Sequence, residues 1–71
     1  MRQVAKRLRE IGFPEEYGPY KSRRGQAQNY IGGYDELTDS FLLFQDTGVA
    51  GGSAHRWVKA RTFAKNYYPF W

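Results

Sequence analysis

The chain has 71 residues, a net charge of +4 and a sequence pI near 9.6, which bounds it to one domain with a small core. It has no Cys and one His, so disulfides and thiolate metal sites are excluded, a histidine-held zinc is disfavoured, and no metal or cofactor is expected. No apolar run is long enough to cross a membrane and the N-terminal stretch is too charged for a secretory signal, so a soluble, cytoplasmic protein without a membrane partner is expected.

The charge is segregated. Residues 1–24 hold seven Lys or Arg against three Glu, residues 25–53 hold four acids and no Lys or Arg, and residues 54–71 hold four Lys or Arg and no acid. Two basic ends flanking an acidic middle suit a polyanion such as nucleic acid, or a fold in which the ends neutralise the middle. Thirteen aromatic residues compensate for the small size, because each buries roughly 150–250 Å² when enclosed.

In chain order, Arg2 to Ile11 reads as a helix with Val4, Leu8 and Ile11 on one face. Gly12 suits a left-handed C′ position, Phe13 the apolar residue that packs back, and Pro14 the stop. Arg2, Lys6 and Arg9 align on the opposite face, either as a phosphate-contacting stripe or as a solvated surface. Residues 14–25 read as a loop in which Tyr17 and Tyr20 interleave with Lys21, Arg23 and Arg24. Tyrosine rings stack on bases while cations hold the phosphates, so this loop is a candidate nucleic-acid contact.

Gln26 to Ile31, Gly32-Gly33 and Tyr34 onward suggest a hairpin around a two-residue glycine turn. Ser40 to Gln45 is the one continuous apolar run and reads as a central strand; a helix over residues 36–47 capped by Asp35 is the rival. The small-residue loop that follows, with Gly51, Gly52 and Ser53, could hold an anion if a helix begins at Ser53. That helix is expected over residues 54–68, with Ser53 as N-cap and Pro69 as stop. Its apolar side would carry Trp57, Ala60, Ala64, Tyr67 and Tyr68, with Arg61 intruding, and Arg56, Lys59 and Lys65 would add to the basic surface.

The order of a helix, strands, a glycine-rich loop and a basic last helix resembles the double-stranded-RNA-binding domain in length and layout. Ala54-His55-Arg56 stands where that family has a lysine cluster, and the chain is not assigned to it.

The expected fold is α+β, with N- and C-terminal helices packed on a short antiparallel hairpin or meander, in the order α-β-β-α. Its core would draw on Val4, Leu8, Ile11, Phe41, Leu43, Trp57, Ala60, Phe63 and Ala64. No acid, base and nucleophile stand in a catalytic arrangement, so a non-enzymatic protein is expected. The function expected is a small accessory protein binding DNA or RNA through Arg2, Lys6, Arg9, the Tyr17 to Arg24 loop, Arg56, Lys59 and Lys65. The alternative is a protein-binding inhibitor or assembly module of the phage or mobile-element type. It would act through Tyr30, Tyr34, Tyr67, Phe70 and Trp71, since Tyr and Trp recur as interface anchors.

Overall fold

The computed structural model of the protein describes residues 2–14, 16–23, 28–46 and 53–69. The elements in order are helix α1 (Arg2–Glu10), strands β1 (Tyr20–Ser22), β2 (Gln28–Asp35), β3 (Ser40–Asp46) and β4 (Ser53–Lys59), helix α2 (Ala60–Asn66) and strand β5 (Tyr67–Pro69). The strands form one antiparallel sheet in the order β4-β3-β2-β1-β5. The domain is thus α+β, but it is a five-stranded sheet with two short helices. The expected α-β-β-α arrangement around a hairpin is overturned, and with it the likeness in layout to the double-stranded-RNA-binding domain.

The first helix ends as its residues dictate. Gly12 takes φ +84°, where a side chain would be strained, and two backbone bonds close the last turn: Phe13 N–H to Leu8 O at 2.8 Å and Gly12 N–H to Arg9 O at 3.1 Å. This is the Schellman arrangement, and it folds Phe13 back onto the core.

The hairpin turn is not at Gly32-Gly33. Both glycines lie inside β2, where the register slips between Ile31 and Gly33 and leaves Gly32 as the extra residue of a β-bulge. The chain reverses over residues 36–39 instead. There Asp35 accepts from Leu37 N–H and from the Thr38 hydroxyl, both at 3.1 Å, and Asp39 adopts a left-handed φ of +53°. Gly32 has another use: the ring of Phe44 lies over it, and a Cβ there would stand 2.1 Å from Phe44 Cε2.

The central apolar run is a strand, as expected, and the helical rival for residues 36–47 fails. The larger correction concerns residues 53–59. They form β4, paired with β3 from Ser40↔Lys59 to Asp46↔Ser53, so Ser53 caps no helix. Pairing along seven residues satisfies the backbone of both strands, which outweighs the modest helix propensity of the alanines. Helical period holds only afterwards, where Ala60, Phe63 and Tyr67 share a buried face. α2 starts on Lys59 without a side-chain cap, and its first N–H, that of Ala60, donates to Asp39 O at 2.8 Å. Pro69 belongs to the last strand and does not stop the helix.

Both helices cover one face of the sheet. The core is Val4, Leu8, Tyr20, Ile31, Phe41, Leu43, Val58, Ala60, Phe63 and Tyr67, with Ile11, Phe13 and Tyr34 packed at its border. Phe63 is its centre, with ring centroids 5.0 Å from Phe13, 5.1 Å from Tyr20, 5.2 Å from Phe41 and 5.1 Å from Tyr67. Such aromatic pairs contribute about 0.5–1.5 kcal/mol each beyond the area they bury. Trp57 and Ala64, expected in the core, are respectively exposed and half-buried, and Arg61 points to solvent rather than into the apolar face.

On the helix side the two edge strands are linked through long side chains: Arg56 on β4 donates from Nη2 to the Tyr67 hydroxyl on β5.

Candidate nucleic-acid interface

A groove of about 580 Å³ lies between residues of the two sheet edges, with α2 contributing to its wall. Arg23 enters from the end of β1, Arg56, Trp57 and Lys59 from β4, and Thr62 and Asn66 from α2. No acidic side chain is among its described lining residues.

Arg23 is held in place by its neighbours. Its backbone N–H donates to Asn66 O at 2.9 Å and its Nε to Lys65 O at 3.2 Å, at the negative end of the α2 dipole. Its guanidinium carbon also lies 5.8 Å from the centroid of the Tyr68 ring, within cation–π range. Arg56 is oriented by its bond to Tyr67. The groove therefore presents positioned guanidinium groups, a lysine, an indole and neutral hydrogen-bonding groups, a combination that suits a phosphate joined to an aromatic or sugar moiety.

The first basic end behaves differently. Arg7 forms a two-point pair with Asp39, Nε to Oδ1 at 2.9 Å and Nη2 to Oδ2 at 2.8 Å, and also meets Glu10 at 3.3 Å. Gln3 donates to Glu36 at 3.1 Å, and the Tyr34 hydroxyl donates to Asp39 Oδ1 at 2.5 Å. The bond from Arg7, then that from Tyr34, holds the Asp39 carboxyl below the usual carboxylate range, with the charge of Lys59 adding to the effect. The same bond to Asp39, then burial, pushes the Tyr34 phenol up to about 12. The N-terminal helix thus neutralises part of the acidic middle, while Arg23 and the basic residues of β4 gather in the groove.

The sequence-derived residues divide accordingly. Arg23, Arg56 and Lys59 meet in the groove, whereas Lys6 and Arg9 are exposed on α1 and Lys65 is exposed in the last turn of α2. Lys21 is half-buried on the open sheet face between Gln28 and Tyr68. Tyr17 is exposed, its carbonyl accepting from Ile31 N–H at 2.7 Å. Tyr20 cannot stack on a base: it is fully buried, with its hydroxyl donating to Glu16 O at 2.6 Å and Pro14 O at 3.3 Å. Burial, then the charge of Glu16, pushes its phenol up to about 12. Tyr67 is likewise core rather than a partner anchor, and Tyr34 is engaged with Asp39, while Tyr30 is exposed. The side chain of Arg2 and the whole of Arg24, Gly51, Gly52, Phe70 and Trp71 lie outside the described residues. Ser53 opens strand β4 rather than a helix, so the helix start expected at Ser53 is not there.

Sequence reasoning missed Trp57, Phe44 and Tyr68 as surface residues. The signal was present for Trp57: in His55-Arg56-Trp57-Val58-Lys59 every second side chain faces the same way, but the outward set includes an indole and the inward set an arginine. Among the described residues no three His, Cys, Asp or Glu come together to hold a metal, and no helix is long and apolar enough to cross a membrane.

The chain matches no protein-family model, and no curated protein or solved structure is significantly similar to it.

Proposed function

We propose that the chain is a small, non-catalytic accessory domain that binds nucleic acid. The observation that carries this reading is the groove lined by Arg23, Arg56, Trp57 and Lys59, with no acidic side chain among its described lining residues. Such a cleft attracts a polyphosphate, whose condensed counterions are released on binding. The binding surface differs from the one expected from sequence. It centres on the groove, with Lys21 and Lys65 nearby in the chain, rather than on α1 and the Tyr17/Tyr20 pair.

Fluorescence anisotropy with labelled DNA and RNA across a salt series tests the reading. The expected result is binding whose log–log salt slope becomes shallower in Lys59→Glu and Arg23→Glu, by roughly 0.7–0.9 for each phosphate that is no longer neutralised. Affinity and slope unchanged in both variants overturn the groove as the contact surface. A protein-binding module remains the second reading, favoured by the exposure of Tyr30 and Phe44. Nucleic acid is preferred because protein interfaces deplete lysine and the groove includes one.

A further inference from the structure

Four of the large apolar residues left exposed are on the open face of the sheet, opposite the helices: Tyr30, Phe44, Trp57 and Tyr68, exposed by 40, 42, 55 and 39%. Their placement follows from the register. Tyr30 on β2 pairs with Phe44 on β3, which pairs with His55 on β4, making one row; the Phe44 and His55 rings are 6.0 Å apart. Trp57 lies two residues further along β4, paired with Leu42. Tyr68 on β5 pairs with Lys21, which pairs with Gln28, two residues before Tyr30 on β2.

Strands β5, β2 and β4 run in the same direction, so the two displacements have the same sense. Tyr68, Tyr30 and Trp57 therefore fall on one diagonal across all five strands. Each step crosses two strands and advances two residues, on the order of 12 Å for a flat sheet. Lys21 lies within the first step and Phe44 within the second. Both ends of the diagonal reach the cationic groove: Trp57 lines it, and Arg23, against the Tyr68 ring, lines it from the other side.

Resting on the nucleic-acid reading, we infer that this diagonal is a stacking track for a single strand, with the bases on the rings and the phosphates on Lys21, Arg23 and Lys59. The exposed rings select a single strand. A duplex hides its base faces in its own stack, so the rings have nothing to receive there. Of the charged side chains described on this face, Lys21 and Lys59 are cationic, and the carboxylate of Asp35 is turned to Leu37 N–H and the Thr38 hydroxyl; Asp46 holds the register position opposite Gln28, in the same row as Lys21. Gly32 belongs to the device as well, since the lack of a Cβ there leaves room for the Phe44 ring against the β2 backbone.

The test compares labelled oligo(dT), oligo(U) and a DNA duplex of equal length, with the folded state of each variant checked by circular dichroism. Oligo(dT) or oligo(U) should bind more tightly than the duplex. Tyr30→Ala, Trp57→Ala and Tyr68→Ala should each weaken single-strand binding by roughly 5- to 150-fold, the range measured for loss of one base–aromatic stack. Trp57→Phe should retain most of the affinity, and in a Trp71→Phe background the Trp57 fluorescence should quench on binding oligo(dT). Equal affinity for duplex and single strand, or alanine variants that bind like the parent while Lys59→Glu weakens binding of single strands and duplex alike, overturns the track and leaves the groove reading intact. Absence of binding to every probe overturns both.

Discussion

Asp39 joins three parts of the molecule, and replacing it separates charge from backbone shape. Its carboxylate takes both bonds from Arg7 and one from Tyr34, its carbonyl receives the first N–H of α2, and its φ is left-handed. Asn tolerates that conformation and keeps a carbonyl acceptor for Tyr34, so Asp39→Asn removes mainly the charge. The pair is partly open to water, with side-chain exposures of 30% for Arg7 and 42% for Asp39, so solvent screening reduces its worth. The expected cost is about 1–2 kcal/mol. Asp39→Ala loses the acceptor as well and adds roughly 1–2 kcal/mol for a left-handed residue without a local hydrogen bond. A chain of this length has a total stability of about 4–11 kcal/mol, so either change is a sizeable fraction. Urea denaturation followed by aromatic fluorescence measures both. The pH dependence gives the sharper check. The folded-state pKa of Asp39 lies below its unfolded value, so its contribution is fully present above the usual carboxylate range and is lost as pH falls through the lowered value. The gap between parent and Asp39→Asn should therefore close in strong acid. A gap of the same size in strong acid and at neutral pH, or none at neutral pH, refutes the reasoning.

Two further predictions concern the buried aromatic side and the approach of the chain to the sheet. Tyr20→Phe removes a hydroxyl held by the carbonyls of Glu16 and Pro14 and should cost about 1–2 kcal/mol at neutral pH. Because the phenol is raised to about 12, its contribution is complete below the unfolded value of about 10 and lost as pH rises through the folded one. Alkaline unfolding should be shallower in Tyr20→Phe, and superimposable parent and variant curves count against it. Gly18→Ala places a Cβ 2.7 Å from the Asn29 carbonyl oxygen at a φ of +142°. It should cost roughly 1–3 kcal/mol, read by urea denaturation; unchanged stability would mean that the segment before β1 does not lie against β2.

The sequence by itself determined what depends on a few neighbouring residues. The first helix and its Gly12-Phe13-Pro14 ending are local, because the bonds that close the turn lie within six residues. The strand at residues 40–46 was legible because a continuous apolar run with flanking polar residues fits a pleat enclosed by the sheet. Six of the nine expected core residues, Val4, Leu8, Phe41, Leu43, Ala60 and Phe63, are buried for the same reason. Tertiary structure decided the rest. Residues 53–59 become a strand because β3 offers them a full row of backbone partners, a fact no window around them contains. Tyr17 and Tyr20 sit in one loop sequence with similar neighbours, yet only pairing of Tyr20 with Asn29, beneath Phe63, sends it into the core. The groove draws Arg23 and β4 together across more than thirty residues of chain, with α2 supplying part of its wall. The basic and aromatic residues were visible in the sequence; which of them share a surface was a matter of register.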